Sequence, residues 1–257
     1  MNRLAALAAL LCAALPAAPR ALTAEEVKKV VATLDDRQRN SGDWKALCYM
    51  EAKEKGKTDV VYELLVYRRD EEDKQMFLFT KPKSEAGKGY LRLEKNLWMY
   101  DPATGRWERR TERERIGGTD TRRGDLDESR LAEEFDAKWI GEERLGAYAV
   151  DHLRLTVKPG VDVAFPVVEL WVDKATLNEL KRQEFALSGR LMRTAYYPRW
   201  RKVYSPSKKG EVWYPEEMRF FDEIEKGNST LILIKEIDLR PLEANLFTKA
   251  WLEAKSR

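Results

Sequence analysis

Few side chains in this sequence are equipped for covalent chemistry. His152 is the single histidine of 257 residues, and Cys12 and Cys48 are the two cysteines. Any Ser-His-Asp or Cys-His machinery would therefore be built on His152. That residue sits in the middle of a strand-like run, 148–158, without a nucleophile or base pattern beside it, which reads as structural. With so few His and Cys residues, no His/Cys metal site is expected. Asp120, Asp125 and Asp127 gather in GGTDTRRGDLDE, but their spacing is not that of an EF-hand, and Arg122 and Arg123 stand between them. A loop followed by a helix cap is the better reading. The sequence predicts no catalytic residue, no metal and no cofactor.

The remaining candidates for function are charged or aromatic. Arg106 to Arg115, RWERRTERER, holds five Arg and three Glu. Alternating signs suit a solvated strand edge. Arg109 and Arg110 are also candidates for the rim of a cavity, where a guanidinium can grip a phosphate or carboxylate with two bonds. Eight Trp, ten Tyr and eight Phe are spread through the chain. Trp98, Tyr100, Trp171 and Trp213 fall inside predicted strands, where they either line a groove or fill a core.

The segments that must position these residues change character along the chain. Residues 1–21, MNRLAALAALLCAALPAAPRA, have Arg3 in a positive start, an uncharged apolar stretch from Leu4 to Leu15, then small residues and Pro16. This is the layout of a secretory signal peptide, and the apolar stretch is shorter than the roughly 20 residues a spanning helix needs. A lipidated Cys12 is the sharper alternative, but Leu11 stands before it where a small residue is expected. Cleavage after Ala21 would leave Cys48 as the lone cysteine, in a strand pattern that fits burial. Loss of Arg3 and Arg20 takes the formal charge from +3 to +1. That balance argues against a nucleic-acid partner.

Residues 24–39 read as a helix, with Thr23 as cap and Glu25 and Glu26 in its first turn. Short runs rich in Val, Tyr, Phe, Trp and Leu then recur. They predict strands near 43–53, 58–69, 74–81, 87–95, 96–101 and 106–112. A second series is expected near 138–145, 148–158, 167–173, 179–187, 190–197, 201–205, 212–222 and 229–239. Helices are expected at 125–136, with Leu131 and Phe135 on one face, and at 243–254. Many short strands with tight turns mean antiparallel sheet in a barrel or sandwich. A single domain over 22–257 is expected. Several strands are apolar on both faces, among them Asp59–Tyr67, Met76–Phe79 and Leu231–Ile234. Such a sheet needs cover on both sides: packed helices, or a curl around a cavity that an apolar ligand fills.

The order of segments resembles the LolA-like outer membrane lipoprotein-sorting family. Phe77-Leu78-Phe79 with Pro82, then Gly87 to Leu91, is similar to its strand-turn-strand. Leu97-Trp98-Met99-Tyr100-Asp101-Pro102 resembles its W-x-Y-x-P strand. Arg109-Arg110 through Ile116 to Asp120, with Asp125-Leu126, resembles its arginine strand and G-[ST]-D…D-L loop. Leu170 to Lys174, Leu180 and Ser188-Gly189 resemble its W-[IV]-D hairpin, and Pro215, Met218 and Leu246 to Thr248 its C-terminal part. The loop Thr121 to Gly124 departs from the family, which usually carries an aromatic residue and a Tyr there.

The resemblance implies a mainly β (α+β) fold: a strongly curved antiparallel sheet forming an incomplete β-barrel, covered by helices. It implies a periplasmic carrier that holds lipid or the acyl chains of lipoproteins, takes them from an inner-membrane transporter and passes them to an outer-membrane acceptor. A domain that senses lipid or lipoprotein and controls a membrane partner is the alternative. Together with the strand pattern, it makes Tyr62, Leu64, Phe77, Phe79, Trp98, Tyr100, Trp171 and Phe185 the expected cavity residues. Trp98→Asp is then expected to abolish lipid retention. A one-residue slip in any strand would invert its faces.

Overall fold

Thr23 opens the first element by a reciprocal cap. Its Oγ1 accepts from Glu26 N at 3.3 Å, and its own N donates to Glu26 Oε2 at 2.8 Å. The helix that follows, α1, runs Ala24–Arg39. The computed structural model describes residues 20–39, 42–93, 96–110 and 129–256. The N-terminal stretch through Pro19, the acidic loop of Asp120, Asp125 and Asp127, and the second half of RWERRTERER lie outside the described residues.

Six strands follow α1: β1 (Asp43–Lys53), β2 (Val60–Arg69), β3 (Lys74–Lys81), β4 (Gly89–Leu93), β5 (Asn96–Asp101) and β6 (Arg106–Arg110). A short helix, α2 (Leu131–Glu134), precedes β7 (Phe135–Leu145), β8 (Tyr148–Val157), β9 (Val167–Asp173) and β10 (Glu179–Phe185). Then come β11 (Leu191–Ser205), β12 (Gly210–Asp222), β13 (Ser229–Asp238) and the closing helix α3 (Lys249–Lys255). The strands form one antiparallel 13-stranded sheet in the order β6-β5-β4-β3-β2-β1-β13-β12-β11-β10-β9-β8-β7. Two meanders are thus joined at one non-sequential pair, β1 with β13. The edges are β6 and β7, so the sheet is strongly curved but does not close into a barrel.

Three expected elements differ. The helix expected at 125–136 contracts to Leu131–Glu134 in its described part, because Phe135, Ala137 and Trp139 alternate as a strand against β8. Leu131 and Phe135 share one buried cluster all the same. The runs 190–197 and 201–205 are one strand. Tyr197 and Pro198 stand against the single residue Met218, so the proline sits in a bulge and the strand continues beyond it. The C-terminal helix begins at Lys249, because Thr248 is extended and its side chain accepts from Trp251 N.

Two faces of the sheet are buried differently. On the outer face, α3 and the turn before it press Leu246, Phe247 and Leu252 onto Tyr67, Met76, Leu78 and Leu91. Gly89 permits this approach: a Cβ there would lie 2.7 Å from Leu252 Cδ1 and 2.8 Å from Phe77 O. On the inner face, α1 sets Val27, Val30, Val31 and Leu34 against Leu153, Leu155, Leu170 and Val172 of β8 and β9. A further buried cluster covers the inner side of β1–β3, β12 and β13, with Cys48, Met50, Leu64, Phe77, Phe220 and Ile232 among its members.

Candidate functional site: an apolar pocket on the inner face

The inner cluster does not fill the space beside it. A cavity of about 150 Å³ opens there. Its sheet wall runs from Phe77 on β3 and Val66 on β2, past Ile234 on β13 and Met218 on β12, to Glu179 at the start of β10. Strands β3 and β10 are six steps apart in the sheet order, roughly 29 Å if the sheet were flat. Only strong curvature brings them to one pocket, so this is the concave face.

Two covers close over the cavity. The first is the C-terminal end of α1, which contributes Leu34, Arg37 and Gln38. Polar bonds hold that end in place. Arg37 donates to Asn178 Oδ1 and Thr176 O, both at 2.5 Å. Arg68 Nη2 donates to Gln38 O at 2.6 Å and pairs with Asp70 at 2.9 Å, and Arg68 Cζ lies 5.4 Å from the centre of the Trp44 ring. Burial pulls the Arg37 pKa down, and Asp36 partly opposes this. Asp35, one turn earlier, accepts from Leu131 N at 2.9 Å and Ala132 N at 2.8 Å, tying α1 to the start of α2.

The second cover is the far half of the β11–β12 hairpin. Trp200, Val212, Trp213, Tyr214 and Pro215 all line the cavity. In this half, β11 and β12 pair only with each other. Strand β13 meets β12 only over Glu217–Phe221, and β10 meets β11 only between Leu191 and Tyr196. The bulge at Tyr197-Pro198 bends the hairpin, and Trp200 Nε1 donates to Glu179 O at 2.9 Å.

Charges buried beside the pocket are paired. Arg182 makes two bonds of 2.9 Å to Glu179, and Arg193 makes bonds of 2.7 and 3.1 Å to Glu184. Burial alone would lower the Arg182 pKa, but the Glu179 and Glu184 carboxylates outweigh it and the net direction is upward. Burial likewise pushes the Tyr62 and Tyr214 hydroxyls up, so both stay neutral donors at ordinary pH.

The structure divides the residues singled out from sequence. Phe77 lines the pocket. Tyr62, Leu64 and Phe79 lie in the inner cluster next to it, with the Tyr62 and Phe79 rings edge to face at 5.6 Å. Trp98 and Tyr100 are not brought to the pocket. Trp98 is paired with Leu91, which faces α3, and Lys249 Nζ lies 4.0 Å from its ring. Tyr100 packs on Trp107 at 5.0 Å on the same outer side. Trp171 and Phe185 also face outward, because their neighbours Leu170 and Val172, and the partner of Glu184, Val168, face inward. Of the rim candidates, Arg109 is exposed opposite Trp98, and Arg110 reaches Met99 Sδ at 3.1 Å and Glu108 at 2.9 Å on the edge strand. Neither lines the pocket.

His152 belongs to an outer-face stack. Its ring lies 4.2 Å from the Trp171 ring at 15°, with Nδ1 2.8 Å from Glu143 Oε1 and Nε2 3.0 Å from Glu169 Oε2. Trp171 Nε1 donates to Glu143 Oε2 at 2.7 Å, and Lys181 Nζ sits 3.8 Å from the other side of the indole. The bond from Trp171, then those from His152, hold the Glu143 pKa below its usual value. This cluster locks four strands, β7 to β10, together.

A family model described as "uncharacterized protein" matches residues 71–254. The chain belongs to that family. No curated protein matches it. Solved structures resemble it over nearly its whole length. A domain named for outer membrane lipoprotein sorting, from Vibrio parahaemolyticus, superposes with a TM-score of 0.75 at 20% identity, covering 90% of this chain and 100% of that one. A DUF1329-family protein from Desulfovibrio piger gives 0.77 at 19%, covering 89% and 98%. A LolA-superfamily protein from Nitrosomonas europaea gives 0.71 at 20%, covering 90% and 100%. The chain shares the fold of these three structures.

Proposed function

We propose that this chain is a periplasmic carrier that binds lipid, or the acyl chains of lipoproteins, in the inner-face pocket. The observation that carries the reading is the pocket itself: a mainly aromatic and aliphatic cavity on the concave side of a LolA-type sheet, under the α1 end and the β11–β12 hairpin. Residues 1–21 act as the export signal, and 22–257 form the working domain. The carrier takes its cargo from an inner-membrane transporter and gives it to an outer-membrane acceptor. It is a binding protein rather than an enzyme.

Hiding each methylene of an acyl chain from water contributes about 0.8 kcal/mol. An apolar cavity of about 150 Å³ is of a size that takes one benzene-sized group. A whole chain therefore enters only when a cover shifts. The α1 end beyond Leu34 and the hairpin are suited to this, since polar bonds hold Arg37 and Gln38 and a Trp200–Glu179 bond ties the hairpin.

A polyene fatty acid titrated into the protein tests the reading through energy transfer from Trp44, Trp200 and Trp213, which line the cavity. Saturable transfer is expected, lost in Met218→Asp and retained in Trp98→Asp. Equal binding by both variants, each shown to be folded, would place the ligand elsewhere.

A further inference from the structure

We propose that the tip of the β11–β12 hairpin is a docking surface for an anionic lipid bilayer. The surface is argued from charge and shape; it rests on the carrier reading only in that lipid crosses between a membrane and the pocket beneath.

Residues 197–216 carry Arg199, Arg201, Lys202, Lys208 and Lys209 against Glu211 and Glu216. That is +3 in this one hairpin half, as much as the whole chain. The charges are sorted along its length. Near the sheet, Arg199 meets Glu217 at 2.6 Å, Arg201 meets Glu216 at 2.8 Å, and Lys202 meets Glu211 at 3.5 Å. In the turn, Lys208 and Lys209 form no ion pair among the described residues. Beside them Tyr204 leaves 60% of its surface in water. The tip thus carries two ammonium groups without a carboxylate partner among the described residues, Lys209 exposed and Lys208 partly buried, beside an exposed phenol.

That combination fits a bilayer surface better than an acidic protein. Lysines are mobile point charges suited to a diffuse anionic surface, whereas recognition of a fixed carboxylate favours arginine forks. The arginines here already hold glutamates. An exposed tyrosine is at home at the headgroup level.

The tip is also where this cover is seated. Ser207 lies against Gly42, whose φ of +81° and lack of a Cβ leave room for it. Attraction on Lys208 and Lys209 therefore acts on the seat of the cover whose Trp200, Trp213 and Tyr214 line the pocket.

Flotation of residues 22–257 with vesicles tests this. The vesicles are phosphatidylcholine alone, or one part phosphatidylglycerol to two of phosphatidylcholine. The protein is expected to float only with phosphatidylglycerol, and less so as salt is raised. Lys208→Glu with Lys209→Glu is expected to lower that partition by about tenfold or more. The same charge change at Lys55 and Lys57, in the exposed β1–β2 turn, is expected to leave most of it. Wild-type partition in the tip variant, equal loss in both variants, or no flotation of the wild type would each overturn the proposal. Fatty-acid binding by the tip variant is read separately. If it persists while flotation is lost, the docking surface stands apart from the pocket. If the wild type floats but binds no fatty acid, the carrier reading fails and the docking surface remains.

Discussion

Over β8 and β9, α1 lays Val27, Val30, Val31 and Leu34 onto Leu153, Leu155, Leu170 and Val172 in one buried cluster. Over β1–β3, β12 and β13 the same concave face is as apolar, yet it keeps a cavity. The sheet beneath is similar; the covers differ. A helix with aliphatic residues at helical spacing interdigitates with a sheet and leaves no gap. Beyond Leu34 the helix turns polar at Arg37 and Gln38, and the rest of the roof is a hairpin faced with Trp200, Trp213 and Tyr214. Flat rings on a bulged ribbon bridge the space without filling it. The concave face thus carries a packed block beside one that keeps a cavity, and the proposed carrier function rests on the second.

Truncating the packed block should be the most damaging change. Leu153→Ala removes a fully buried side chain and is expected to cost about 2–5 kcal/mol, read as a lower melting temperature, with fatty-acid affinity of the remaining folded protein unchanged. A change in affinity without a loss of stability would break the division between the halves. Asp35→Ala comes next. It leaves Leu131 N and Ala132 N without their acceptor, a loss of about 1–3 kcal/mol, and it should loosen α1 enough to speed fatty-acid exchange in stopped-flow traces.

Cys48 sharpens the contrast by its chemistry. It is buried in the inner cluster, and burial pushes its thiol from 9.0 up to about 12. A thiol raised in the folded state stabilises the fold fully below its unfolded value. That contribution fades as pH rises from about 9 towards 12. Native protein at pH 8 should therefore resist maleimide, and labelling should follow unfolding; rapid labelling of folded protein would show that the half with the cavity opens to water. The smallest effect is expected at Arg109, exposed on the edge strand: Arg109→Ala should stay within about 0.5 kcal/mol and leave fatty-acid binding intact.

Most of the strands were legible because their turns are. Asp101 to Gly105 and Leu187 to Arg190 separate runs too short and too β-branched or aromatic for helices. Both faces of β2 and β3 read as apolar, and both forms of cover occur: α3 outside, the pocket inside. That same property hid the site. When both faces are apolar, alternation no longer says which one is inward, so Phe77 and Tyr62 fell on the concave side while Trp98, Tyr100, Trp171 and Phe185 fell on the convex one. Trp44, Arg37 and Arg68 carry no local signal of their role, because the pocket depends on the pairing of β1 with β13 and on curvature across the sheet. The hairpin cover was legible in part: Trp213 read as a groove or core residue and lines the pocket, whereas the gap expected between 190–197 and 201–205 is a bulge at Tyr197-Pro198 within one strand.

Native mass spectrometry, with solvent extraction, of residues 22–257 purified from periplasm without detergent tests the central claim most directly. Wild-type protein should carry a lipid or acylated mass that Met218→Trp, with the cavity filled, does not carry, while both melt as folded proteins. The same adduct on both, or none on the wild type, would contradict a lipid carrier built on this pocket.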